Sequence, residues 1–104
     1  MKAETLQKRI EANLYTKKGT LARKYEDVVY MLSHPDYVAC PCRWLGHGSS
    51  LKDSRAIYID GLTAVGVDFV VHNVAPRGGM EGWRIRLTKK GKRQAREFAK
   101  AYKA

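Results

Sequence analysis

The sequence predicts an α+β chain, mainly helical, with a two-stranded β-hairpin and a basic C-terminal helix. Three observations carry that expectation. Apolar residues recur at helical spacing near both ends and through the middle of the chain. Two runs, "VDFVVHNV" and "GWRIRLT", are rich in β-branched and aromatic residues, and "APRGGMEG" between them is dense in turn chemistry. After the second run, Lys and Arg crowd a last helical pattern.

The first helix is predicted over Ala3–Tyr15, because Leu6, Ile10 and Leu14 stand four residues apart. That narrow stripe suits a core edge or the seam of a homodimer. "TKKG" then ends the helix, with Gly19 as its C-terminal stop. Thr20 can cap a second helix running to about Ser33, with Leu21, Tyr25, Val28, Val29 and Leu32 as its apolar stripe. "HP" closes it, because the residue before a proline is pushed out of the helical region.

"DYVACPCRWLGHG" follows, where Pro41 suits the first turn of a short helix and Gly46 and Gly48 would end it. From Ser50 to Gly66 a further helix is predicted. Ser50 and Asp53 resemble a capping pair, and Ile59, Leu62 and Val65 share one helical face. A competing reading exists for residues 55–60. "RAIYID" is rich in β-formers, and Asp60–Gly61 is a hairpin signal that would make a three-stranded domain. Leu62, Val65 and Gly66 fit a helix end better than a hairpin arm, which favours the helix.

In the second strand Trp83, Ile85 and Leu87 alternate with Arg84 and Arg86. Period two puts three large apolar side chains on one face and two guanidinium groups on the other. Thr88 stands where a helix N-cap belongs. Ala95, Phe98, Ala99 and Tyr102 then mark the apolar face of the last helix, and lysines and arginines fill most of the rest.

At 104 residues the chain is read as one domain, 1–104. It divides into an N-terminal helix (1–19), a helical core (20–66), a hairpin (67–88) and a C-terminal helix (89–104). With 44% hydrophobic and 29% charged residues it belongs with globular rather than disordered chains. No apolar run reaches the ~20 residues that span a bilayer, and "MKAETLQKRIEANLYTKK" has no apolar signal region. The default location is cytoplasmic: on the nucleoid in a bacterium, in the host cytoplasm for a phage. The net charge is +10. Residues 83–104 carry nine of the 20 Lys and Arg and only one of the ten acids, Glu97. So localised a basic region points to a polyanionic partner, above all nucleic acid.

The stretch "SRAIYIDGLTAVGVDFVVHNVAPRGGMEGWRIRLTKKG" resembles a winged helix-turn-helix DNA-binding domain of the biotin-repressor type, or of small phage and bacterial regulators. The resemblance covers about half of the chain. It implies a recognition helix in the major groove and a wing on the backbone or minor groove of double-stranded DNA. Ser50, Lys52, Ser54, Arg55 and Tyr58 become the groove-facing candidates, and His72, Asn73 and Arg77 the wing-tip candidates. Arg84, Arg86, Lys89, Lys90 and Arg93 are assigned to phosphates. If Arg55 pointed inward it would need a carboxylate, so it is expected to turn out. The implied role is transcriptional control. Two alternatives stand beside it: a winged-helix module that binds another protein, such as a phage-encoded inhibitor or complex subunit, and an RNA-binding factor.

His34, Cys40, Cys42 and His47 lie within fourteen residues, but Cys-x-Cys is tighter than the usual spacing of structural zinc sites. No metal and no cofactor are expected. The chain lacks G-x-x-x-x-G-K-[ST], G-x-S-x-G and H-E-x-x-H, and no enzyme activity is expected.

Overall fold

The computed structural model describes residues 1–40, 51–74 and 82–103, and at 51–53 and 103 it describes the backbone alone. Helix α1 spans Ala3–Leu14 and buries Leu6, Ile10 and Leu14. It ends five residues before Gly19. The chain turns back so that Tyr15 bridges Leu21, and Gly19, with φ of +80°, forms the reversal. The Gly19 N–H donates to the Thr16 carbonyl at 3.0 Å, and the Thr16 N–H to the Thr20 carbonyl at 2.7 Å. Gly19 is therefore a turn residue rather than the helix stop; its positive φ is a backbone conformation that residues with a side chain rarely adopt.

Thr20 does not cap the second helix either; its groups are engaged with Thr16. A 3₁₀ turn at Arg23–Tyr25 comes first, and helix α2 spans Glu26–Ser33. Glu26 and Asp27 occupy its first turn, where the helix dipole favours acids. Val28, Val29, Met31 and Leu32 enter the core. Beyond His34–Pro35 the chain reaches Ala39, whose N–H and C=O both pair with Ile85 at 2.9 and 3.0 Å. The short helix expected around Pro41 lies outside the described residues.

Residues 51–65 are helical throughout: α3 spans Leu51–Val65, which decides against a strand at 55–60. Its inward face, however, is Ser54, Tyr58, Gly61, Leu62 and Val65, while Arg55 and Ile59 are only half-buried. Gly61 has a packing reason. A Cβ there would stand 2.8 Å from Val28 Cγ2, so its absence lets α3 close onto α2. Gly66, with φ of +71°, ends the helix as a Schellman motif. The Gly66 N–H donates to the Thr63 carbonyl at 3.1 Å, and the Val67 N–H to the Leu62 carbonyl at 3.2 Å. Arg9 adds a donor to the Val65 carbonyl at 3.1 Å.

Strands β1 (Phe69–Asn73) and β2 (Trp83–Leu87) pair antiparallel. Phe69, Val71 and Asn73 oppose Leu87, Ile85 and Trp83 on the core side, and Val70 and His72 oppose Arg86 and Arg84 on the outer side. Thr88 then caps helix α4 (Lys89–Lys103): its hydroxyl accepts from the Gly91 N–H at 3.1 Å. Helix α4 packs against α1 and α2, which in turn cover α3. In the described residues, four α-helices and the hairpin thus make a small, compact, mainly helical α+β domain around one core. Its radius of gyration, 13.5 Å, is that of a close-packed domain of this length. Because Leu6 and Leu14 are 0% exposed and Ile10 2%, the α1 stripe is spent inside one chain and does not form a dimer seam.

Candidate nucleic-acid interface

The outer side of the hairpin is set by strand alternation. Arg86 is exposed, and its Nε donates to His72 Nε2 at 3.0 Å across the strands. To accept, His72 must carry its proton on Nδ1. Arg84 is half-buried, and its Nη1 folds back to the Trp83 carbonyl at 2.7 Å. The two arginines that alternation placed together are therefore not equivalent. Asn73 is exposed at the end of β1. Arg77 lies outside the described residues.

Only Thr88 separates β2 from α4, so Arg86 lies within about 10 Å of Lys89 along the chain. The junction is fixed. The Thr88 hydroxyl donates to the Asp68 carboxylate, the Asp68 N–H donates to Gln94 Oε1 at 2.8 Å, and Gln94 Nε2 donates to the Gly66 carbonyl at 3.2 Å. Gly91 allows this approach, since a Cβ there would sit 1.9 Å from the Asp68 carbonyl oxygen.

On α4, Gly91, Ala95, Phe98 and Ala99 face the core. Lys89, Arg93, Arg96 and Lys100 follow at four-, three- and four-residue steps, a stripe on the opposite, exposed face. Lys90 is exposed beside it. Lys92 pairs with Asp36 at 3.0 Å and Lys100 with Glu97 at 3.8 Å. Among the described residues, Lys89, Lys90, Arg93 and Arg96 have no ion-pair or hydrogen-bond partner. The first turn of α4 carries no acid, although a helix N-terminus disfavours cations. Like charges gathered there raise the energy of the free protein and fall in energy beside an anion.

Helix α3 contributes differently from expectation. Ser54 is 0% exposed and Tyr58 1%, so neither side chain meets a groove; both belong to the core. The error was one of helical phase, since taking Ile59 as inward rotated the face by one residue. Tyr58 packs edge-on to Trp83, with ring centroids 6.4 Å apart. Burial, then the carboxylate of Asp27, then Tyr37 hold its hydroxyl well above the ordinary tyrosine range. Arg55 is half-buried on the flank, and the exposed described positions are Ala56, Asp60, Thr63 and Ala64. Ser50 and the Lys52 side chain lie outside the described residues.

Sequence patterning missed Gly91, Asp68 and Gln94, which hold the hairpin–α4 junction. Their signal was present only as a glycine inside a helix and an acid before a strand. Tyr102, which shares the apolar face of the last helix in the sequence pattern, is 60% exposed. Among the described residues no three His, Cys, Asp or Glu side chains gather as metal ligands. Cys40 is buried, and Cys42 and His47 lie outside the described residues. No described helix is long and apolar enough to cross a membrane.

No family model, curated protein or solved structure matches this chain.

Proposed function

We propose that the protein binds double-stranded DNA through the hairpin–α4 junction and acts as a small transcriptional regulator of winged-helix type. One observation carries the reading. Exposed Arg86 at the end of β2 and exposed Lys89, Lys90, Arg93 and Arg96 on α4 gather around the hairpin–α4 junction, and the first turn of α4 carries no acid. A solvated lysine-rich helix would need no such concentration of unpaired charge on one face, and phosphates satisfy it. The element order supports the winged-helix reading: α2, the Ala39 segment, α3, β1 and β2 follow one another as helix, extended segment, helix and hairpin. In this reading Arg86 and α4 hold phosphates, and Arg55 on α3 is the described candidate for base contact.

The test is electrophoretic or anisotropy binding to random-sequence duplex at two salt concentrations. Log affinity should fall steeply and linearly with log salt, with a slope set by the number of phosphates neutralised. Binding that ignores salt, or no binding at low salt, removes the reading.

A second reading has its own observation. Ala3, Glu4, Gln7, Phe98, Ala101 and Tyr102 line an apolar groove of about 400 Å³ between α1 and α4. A protein-binding module would use that groove, and its affinity would respond little to salt.

A further inference from the structure

On the outer side of the hairpin His72 and Arg86 stand on a diagonal, since His72 opposes Arg84 in register and Val70 opposes Arg86. Both side chains are exposed, and the Arg86 Nε donates to His72 Nε2 at 3.0 Å. That bond sets a condition on the imidazole. Nε2 accepts only through a free lone pair, so the bond exists only while His72 is neutral. A protonated ring would turn an N–H toward the guanidinium, and two cations at hydrogen-bond distance repel. The bond and a second proton on His72 therefore exclude each other.

The surroundings of His72 are cationic. Arg84 stands opposite it on β2, with Nη1 turned back to the Trp83 carbonyl. Lys89 and Lys90 open α4 just beyond β2. Two described acids border the hairpin, and each has a partner of its own. Asp68, just before β1, accepts from the Thr88 hydroxyl. Asp36 lies in the segment that meets β2 through Ala39, and it pairs with Lys92 at 3.0 Å. Among the described residues no carboxylate is bonded to His72.

An anion reverses this balance. A phosphate oxygen accepts from Arg86 in place of the imidazole, and accepts equally from a protonated His72. An opposite charge within about 4–6 Å favours the charged ring, where the bare guanidinium disfavours it. Histidine is also the side chain whose charge changes near neutral pH, which the arginines and lysines around it do not share.

We propose that His72 and Arg86 form one phosphate clamp, which closes with the uptake of a single proton. The proton comes from solvent and goes to His72 Nε2, the atom that accepts from Arg86 in the free protein. The complex then holds one more proton than the free partners, so affinity falls as pH rises. The proposal rests on the nucleic-acid reading above and adds a regulator to it: the same surface grips phosphate more tightly in a more acidic medium.

The test is anisotropy binding of a blunt duplex to the intact protein at about pH 6 and about pH 8, at one ionic strength. Affinity at the lower pH should be greater by about tenfold, the low end of what one adjacent opposite charge does to a titrating group. His72→Gln keeps an acceptor for Arg86 but does not titrate, so it should bind without that dependence, with circular dichroism confirming the fold. Calorimetry in two buffers of different ionisation enthalpy should show proton uptake on binding that His72→Gln removes. An affinity that is flat between the two pH values, or a dependence that His72→Gln retains, overturns the clamp and leaves the nucleic-acid reading standing. Inorganic sulfate, which does not titrate in this range, is the second probe. If sulfate keeps the His72 ring protonated to higher pH by NMR, where chloride at equal ionic strength does not, while the duplex fails to bind, the clamp stands and the duplex reading fails. If the duplex does not bind and sulfate leaves His72 unchanged, both are overturned.

Discussion

At Gly91 a single methyl group decides whether α4 can stay where it is. A Cβ would meet the Asp68 carbonyl oxygen at 1.9 Å, and that oxygen belongs to backbone, which cannot swing aside as a side chain can. Gly91→Ala improves helix propensity, yet we expect it to destabilise the domain by about 3 kcal/mol, the upper part of the range for overpacking, as read from urea unfolding. Tyr58 gives a second prediction at this scale. Its hydroxyl titrates above its ordinary value of 10 because the core, Asp27 and Tyr37 disfavour the phenolate. A raised folded value stabilises the fold below pH 10 and removes that stabilisation as pH climbs further, at up to about 1.4 kcal/mol per unit. Tyr58→Phe should flatten the loss of stability between pH 10 and 12; an unchanged alkaline limb would show that other groups cause it. Under the proposed function, Arg86→Ala should lower the salt slope of DNA binding by about one and weaken all sequences alike.

At the scale of elements, the helices and the hairpin were legible because their apolar periods are strong. The Trp83–Leu87 alternation and the Thr88 cap were readable residue by residue. What patterning could not supply was phase and contact. "RAIYIDG" has apolar residues in several phases, so the choice between Tyr58 and Ile59 as the inward residue depended on what α3 would pack against. Gly61 read as a turn signal because its actual cause, the Val28 side chain, is 33 positions away in the chain. The 3₁₀ entry to α2 was hidden for a similar reason, since Thr20 is a good cap in isolation but is engaged with Thr16. The candidate site was legible in its charge and illegible in its brackets, Asp68 and Gln94, whose roles exist only across elements. Gly66 tests the α3 terminus. Gly66→Ala places a Cβ at φ of +71° and 2.7 Å from Arg9 Nη1, and should cost roughly 1–2 kcal/mol in thermal or denaturant unfolding. On α4, Arg93→Glu with Arg96→Glu should abolish the proposed DNA binding while leaving the circular dichroism spectrum intact, because both side chains are exposed.

At the scale of the whole molecule, one chain supplies its own core: Leu6, Ile10 and Leu14 meet residues of α3 and α4 rather than a second copy. Ile10→Asp should therefore unfold the domain at every protein concentration, whereas a dimer seam would show concentration-dependent dissociation in sedimentation. The bonds that join Gly66, Asp68, Thr88 and Gln94 have a mechanical consequence. They tie the end of α3, the start of β1 and the first turns of α4 into a single corner. The backbone positions that carry charges on either side of such a corner keep a constant separation, as teeth on one casting do. A flexible pair of arms could follow a partner's shape; a rigid gauge cannot. Under the proposed function, any mismatch between the protein's charge spacing and the phosphate spacing would then be taken up by bending or twisting of the DNA. Affinity would come to depend on how easily a given sequence deforms, even at base pairs that no side chain touches.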